Sequence, residues 1–419
     1  MNHLLHDPAL VQLPHQLEAE AALTRRGILT EPVSSREYFS GYSYQTLYDW
    51  DQYFEALVQV YMGWDSSYIR NGVTIFLDHQ RPDGHIARSV PSNEYHDPEH
   101  VKPFLAQIAW TVLLNRLVYR AYGEIEWITS ERYFYRLQSY LDYWLGAMDA
   151  NHNGLSEWMS APHTGMDNQH ERAGWWLDRF SEDVDLNCYL VREFQAFAQI
   201  AALMGKTELS AHYTAQSSHL AERIRALCWN EADGFFYDHN ARSGEPLMSR
   251  HAGWASTLNG HPIEQIRVKG ISAFMVLWVG VATPHQAQRL VYEHLFNPLE
   301  FWSPHPIPAL TRSERWYTRD HLPADLGCNW RAKTWIPTNY MVYHGLRRYG
   351  YTQLASLLAD ATHRTVLPNR LVQRTGNRKY YDAETGTGEG LDPFWGWSLL
   401  GHFMPYEEST PKTLTALEE

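Results

Sequence analysis

Residues 163–176 read HTGMDNQHERAGWW and place one carboxylate, Asp167, just after Gly165 and ahead of a run of polar and aromatic groups. Alone, an aspartate after Gly-Met in a long connection is an Asx turn. Its companions change that reading. YDWDQYF (48–54) sets Trp50 beside Asp51 at a helix start, and NWRAKTWIPTNY (329–340) brings Trp330, Arg331 and Trp335. YYDAETGTGEGLDPFWGWS (380–398) holds Asp382, Glu384, Glu389 and Asp392 ahead of Trp395 and Trp397. Carboxylates from distant stretches, walled by tryptophans, suit cleavage of a glycosidic bond. One acid is kept protonated by an apolar setting and one ionised base holds a water, with no cofactor required. Tryptophan and tyrosine add flat apolar faces with polar edges that match the CH faces and hydroxyl rims of sugars.

The elements that must position these groups are helical. Apolar residues recur at three- and four-residue spacing nearly everywhere, as in PFLAQIAWTVLLNRLVYRAYG (103–123) and VDLNCYLVREFQAFAQIAALMG (184–205). The pattern predicts about twelve helices, near 8–26, 50–62, 65–80, 103–123, 129–149, 184–204, 207–229, 270–281, 284–295, 335–350, 352–365 and 394–404. Thr283-Pro284 with Gln286 reads as a capping box with a first-turn proline, and Gly350 before Thr352 as a stop followed by a new cap. No set of alternating strands stands out. Short and long connections alternate, and the long ones (81–102, 150–183, 230–269, 296–334 and 366–393) carry the candidate groups. This suggests an all-α ring of helical hairpins with long active-site loops, built as a single domain over 1–407 with a loose tail at 408–419.

A net charge of −13 disfavours a phosphate backbone or an anionic membrane surface as partner. The longest apolar run, ISAFMVLWVGVAT (271–283), is too short to span a bilayer. Cys188, Cys228 and Cys328 are odd in number and far apart, and read as buried thiols in a reducing compartment. The start of the chain lacks signal-peptide features, so a cytoplasmic location is expected, with homo-oligomerisation left open. No metal is expected at the site. DANHNGLSEW has the alternating Asp149, Asn151 and Asn153 of a calcium loop, but Ser160 stands where a bidentate glutamate belongs, and a helix-ending Asx turn explains the stretch at least as well. In HDPEH, Pro98 disfavours a helix presenting His96 and His100 to one ion.

Taken in order, these motifs resemble the glycoside hydrolase clan that holds trehalases and the family 63 enzymes, including the compact bacterial mannosylglycerate and glucosylglycerate hydrolases. YDWDQYF matches the family's Y-x-W-D-x-x-F, TGMDN its S-G-x-D, VDLNCYL its V-D-L-N, NWRAKTWIPTNY its W-R-G-P-x-W-I-x-x-N-Y, and the end its T-G-x-G and F-G-W-S. The resemblance covers about residues 36–402. It implies an (α/α)6 barrel and an inverting mechanism with Asp167 as general acid. The chain's length points to the compact members, and hence to a small α-glucosyl or α-mannosyl compound, with mannosylglycerate or glucosylglycerate as leads.

One position departs from the pattern. The relatives' base is a glutamate opening E-x-Y-x-x-x-T-G, and in KYYDAETG that place holds Lys379. Glu389 is the expected replacement, with Asp392 and Glu384 behind it, at a carboxyl separation from Asp167 of roughly 6.5–9.5 Å to leave room for the water. Sugar contacts are expected from Tyr48, Trp50, Asp51, Gln107, Trp330, Trp335 and Trp397. Arg172 and Arg331, with Arg88 and Lys102, are candidates to neutralise a glycerate carboxylate. The alternatives are a trehalase or α-glucosidase on short oligosaccharides, a sugar-binding protein that has lost hydrolysis at Lys379, and an epimerase using histidines.

Overall fold

A computed structural model describes residues 27–408 except 42–44, 63, 95, 111–123, 125, 175–176, 244–256, 259–260, 321–327, 372–376, 391–393 and 395. The helix expected over 8–26, most of that over 103–123, and the tail beyond Glu408 lie outside the described residues.

The periodic segments fold as helices α1 (Asp49–Met62), α2 (Ser67–Asp78), α3 (Glu131–Gly146), α4 (Val184–Leu203), α5 (Thr207–Leu227), α6 (Met275–Val279), α7 (Pro284–Arg289), α8 (Ile336–Arg348), α9 (Thr352–Leu371) and α10 (Leu400–Glu408). Burial sorts them into inner and outer members. α4 is buried on all sides along most of its length, whereas α5 buries only Tyr213, Ser217, Leu220 and Ile224, a single stripe at helical spacing. α5 therefore covers α4, joined to it through Gly205 at φ +69°. The pair α8 and α9 repeats the arrangement, with α8 buried from Ile336 to Leu346 and the turn made by Gly350 at φ +77°. α8 also lies against α6 so closely that a Cβ on Gly345 would fall 2.8 Å from Leu277 Cβ and from the Trp278 nitrogen. The capping box at Thr283 and Gln286 is present in both directions.

The chain is helix-rich, as expected, with one addition in the long connections. Strands of two or three residues pair within the long connections: Leu47–Tyr48 with Ser89–Val90, Ser181–Glu182 with Asp238–Asn240, and Lys333–Thr334 with Tyr380–Asp382, which in turn pairs with Gly388–Glu389. Such pieces are too short to show a period-two pattern, which needs four residues or more to stand out in a sequence. Their role is local: they tie the connection that carries Tyr48 to the one that carries Arg88, and the one that carries Trp330 and Trp335 to the one that carries Lys379.

Candidate active site

Asp167 is presented by a tightly packed segment. The short helix Ala161–Thr164 is capped by Ser160, whose hydroxyl accepts from the His163 amide, and it stops at Gly165 with φ +85°. A side chain at Gly165 would meet the Trp50 ring at 2.8 Å, so glycine is required both by the backbone and by the close tryptophan. The next residues grip Trp330 from two sides. Asn168 Oδ1 accepts from the Trp330 amide at 2.7 Å, and Gln169 Nε2 donates to the Trp330 carbonyl at 2.5 Å. Between Ala161 and Gly174 every residue but Asp167 is buried, and this carboxylate is the one polar side chain that the segment brings to a cavity.

That cavity measures about 270 Å³ and brings together residues from five separate stretches: Tyr48, Trp50 and Asp51; Arg88 and His96; Pro162, Gly165 and Asp167; Cys328, Trp330 and Trp335; Lys379 and Trp397. Its size falls just below the roughly 300–1,000 Å³ usual for small-molecule sites, which suits a small ligand. Tryptophans wall it. Trp330 and Trp335 stack at 3.6 Å between centroids, Trp50 lies 5.5 Å from Trp330, and Trp397 lies 6.1 Å from Trp50. Trp335 Nε1 is held by the Asn329 carbonyl and Trp397 Nε1 by the Lys379 carbonyl, which fixes the ring planes.

The charges inside are arranged against each other. Asp51 lies at the start of α1 and reaches the cavity while only 6 % exposed. Burial pushes its carboxyl up to about 7, against the pull of Lys379, Lys102 and Arg88, with Asp49 adding to the rise. Lys379 Nζ donates to Cys328 Sγ at 3.1 Å and lies 5.8 Å from the centre of Trp335. Burial raises the Cys328 thiol to about 11, with Lys379 pulling it down and the nearby Asp167 adding to the rise. Arg88 pairs with Glu99 at 3.2 Å and donates to the Pro162 carbonyl, while its Nε is buried with no partner. His96 is lowered to about 4 by burial and by Arg88, so it is neutral at physiological pH.

Of the residues expected at the site, Asp167, Tyr48, Trp50, Asp51, Trp330, Trp335 and Trp397 line this cavity together. Four others do not. Gln107 donates to the carbonyls of Pro103 and Tyr189 and is fully buried behind the wall. Arg172 is consumed by Asp183, Asp185 and Asp238 at 2.6–2.8 Å, and Arg331 by Glu171 and the Asn168 carbonyl. Glu389 is not brought to Asp167. It pairs with Lys333 at 2.7 Å in a separate depression lined also by Asp382, Arg319 and Tyr317. Glu384 is taken by Arg312 and Tyr317, and Asp392 lies outside the described residues. His96 and Cys328 were not anticipated at the site. Cys328 stands two residues before Trp330, the one sequence clue that pointed there.

The Asp149 loop forms a helix-ending turn in which its carboxylate accepts from the Asn153 and Gly154 amides, while Asn151 and Asn153 turn side-chain N–H groups toward Glu182. Among the described residues no three His, Cys, Asp or Glu side chains are grouped to hold a metal ion, and no helix is long and apolar enough to cross a membrane.

Residues 44–398 match the family model described as the mannosylglycerate hydrolase MGH1-like glycoside hydrolase domain. A mannosylglycerate hydrolase of Thermus thermophilus is 33% identical over 158 residues, a stretch that spans 37% of this chain and a third of that protein's length. In fold the chain is similar to a GH63 mannosylglycerate hydrolase of Thermus thermophilus in complex with Tris and D-glycerate, at TM-score 0.66 and 20% identity, covering 93% of this chain and 99% of the other. The same enzyme in complex with glucose gives TM-score 0.65 at 18% identity, covering 92% and 99%. The neutral trehalase of Saccharomyces cerevisiae gives 0.64 at 19% identity, covering 93% and 78%. The cavity that gathers Asp167 and four tryptophans thus sits in a helix-rich chain that belongs to the mannosylglycerate hydrolase MGH1-like glycoside hydrolase family.

Proposed function

We propose that the chain is an inverting hydrolase of a small α-glycoside, working without a cofactor on a six-hairpin helical toroid. The observation that carries this is the convergence of Asp167, Asp51 and four tryptophans on one small cavity. Asp167 protonates the glycosidic oxygen as the bond breaks, a role that its motif match suggests and its opening into the cavity supports. Trp50, Trp330 and Trp397 offer faces for the cleaved sugar.

The leading substrates are mannosylglycerate and glucosylglycerate. Relatives crystallised with glucose and with D-glycerate point to that class. Of the four cations weighed for a glycerate carboxylate, Arg172, Arg331 and Lys102 are committed to buried carboxylates away from the cavity, whereas Arg88, though paired with Glu99, is the one that lines it. Neither a trehalase-like specificity nor a non-hydrolytic sugar-binding role is favoured by these relatives. Three buried thiols, none in a disulfide, fit a cytoplasmic setting.

The test is release of sugar from a panel of mannosylglycerate, glucosylglycerate, trehalose and maltose, with proton NMR of the first-formed anomer. A β-anomer released from a glycosylglycerate, and lost in Asp167→Asn, is the expected result. An α-anomer as first product, or no turnover of any member, sinks the reading.

A further inference from the structure

Hydrolysis with inversion needs a second carboxylate to take a proton from the attacking water. At the position where the relatives carry that glutamate stands Lys379, and Glu389 is paired to Lys333 in another depression. We propose that Asp51 is the general base of this enzyme and that Lys379, facing it across the cavity, is the positioning residue that favours its ionised form. The proposal rests on the hydrolase reading above.

The cavity itself narrows the choice. Among the described residues that line it, the carboxylates are Asp51 and Asp167. If Asp167 is the acid, Asp51 is what remains among the described carboxylates of the lining. Neither of the other acids on this stretch of α1 lines the cavity. Asp49 accepts two bonds from Lys102 Nζ, one from the Lys102 amide and one from the Trp50 amide. Glu55, one helical turn on, is 1 % exposed, and its Oε1 is wedged where a Cβ on Gly41 or Gly396 would fall. Asp51 lines the cavity, and no described residue hydrogen-bonds its carboxylate.

Charge decides how it can function there. Facing Asp51 are Lys379, Arg88 and Lys102 as cations, Asp49 and Glu55 as acids, and Tyr48. Arg88 is matched by Glu99 and Lys102 by Asp49, each in a close pair. Lys379 has the largest electrostatic influence of any charge on Asp51. A glutamate at 379 would oppose ionisation of Asp51, whereas a lysine favours it. Swapping the sign at this position therefore moves the base function from one wall to the other. Burial holds the carboxyl near 7, where a general base is effective at neutral pH.

The step balances. The water oxygen bonds to the anomeric carbon as Asp51 takes one of its protons. The bond from that carbon to the aglycone oxygen breaks, and Asp167 gives its proton to the departing oxygen. Product release and proton exchange with solvent return both groups to their starting states.

The experiment uses the full chain with α-D-glucosyl and α-D-mannosyl fluoride, whose leaving group needs no proton. Asp51→Ala is expected to lose kcat by roughly 10²–10⁴-fold, and sodium azide is expected to restore turnover with the β-glycosyl azide as product, read by NMR. A residue that only held the sugar would raise KM and give no azide product. Asp51→Asn, followed with a melting curve, separates loss of chemistry from loss of fold. Lys379→Met is expected to move the acidic limb of the kcat/KM profile to higher pH, and Lys379→Arg to retain turnover, because the charge is kept and a guanidinium cannot act as base. Wild-type kcat in Asp51→Asn, no azide product, or an inactive Lys379→Arg overturns the proposal while leaving hydrolysis intact. Absence of turnover by the wild type on the fluorides and on the glycoside panel overturns both readings.

Discussion

Gln169 donates its side-chain amide to the backbone carbonyl of Trp330 at 2.5 Å, so the segment bearing the acid and the stacked aromatic wall of the cavity move as one body. Gln169 Oε1 also receives Arg172 Nη1 at 2.9 Å, which links the same body to the buried charge cluster behind it. The side chain is fully buried, and Gln169→Ala leaves a buried carbonyl and a guanidinium nitrogen each short of a partner. The cost is about 1–3 kcal/mol for each group left unsatisfied. Because the acid is displaced rather than removed, kcat/KM is expected to fall by roughly 10²-fold. Denaturant unfolding and steady-state kinetics on the same preparation check both. A destabilised variant with wild-type kcat/KM would show that this bond does not hold Asp167 in place.

Arg172 gives the second prediction. It bonds Asp183, Asp185 and Asp238 at once, and all four groups are buried. Removing the guanidinium strands several carboxylates without compensation, a loss of about 3–5 kcal/mol by the behaviour of broken buried ion pairs. Arg172→Met is expected to unfold at markedly lower denaturant concentration. Arg172→Lys keeps one charge but not the fork that reaches three carboxylates, and is expected to fall between the two. Unchanged stability in Arg172→Met, with only KM raised, would restore the residue to a substrate contact.

The contrast between Arg172 and Asp167 shows what the sequence could and could not convey. Both lie in one short stretch of loop and helical turn, and adjacency to a motif says nothing about which way a side chain faces. Trp50, Asp51, Trp330 and Trp335 were legible because each sits where a long connection meets a helix start, and such junctions cluster at one end of stacked hairpins. Gln107 and Arg331 share that position but turn to backbone carbonyls and a neighbouring acid. Glu389 failed by register. It sits opposite Tyr380 in the hairpin, on the face shared with Lys333 and Asp382, whereas Lys379 is one residue before Tyr380 and takes the other face. Strands of two residues leave no sequence pattern from which that parity can be read. Among the described residues α1 to α5 and α8 were legible to within a few residues because their stripes run for three turns or more, whereas α9 continues past the expected end at 365 and α10 begins after the expected start at 394.

The third prediction concerns stability alone and does not depend on any role in turnover. Asp51 has a carboxyl raised to about 7 in the folded chain, well above its ordinary value of 3.8. A group of this kind binds its proton more tightly folded than unfolded. Its contribution is complete at pH below about 4 and is lost as pH rises through 7. Asp51→Asn removes the titration while keeping a similar shape. The variant is expected to gain on the wild type as pH rises, by up to an amount on the order of 4 kcal/mol above pH 8, and the gain is expected to vanish near pH 4. Urea unfolding of both proteins at pH 4.5, 6.5 and 8.5 measures it. A difference that does not change with pH would mean that Asp51 is ionised in the fold at little cost, and that the cations around it outweigh its burial.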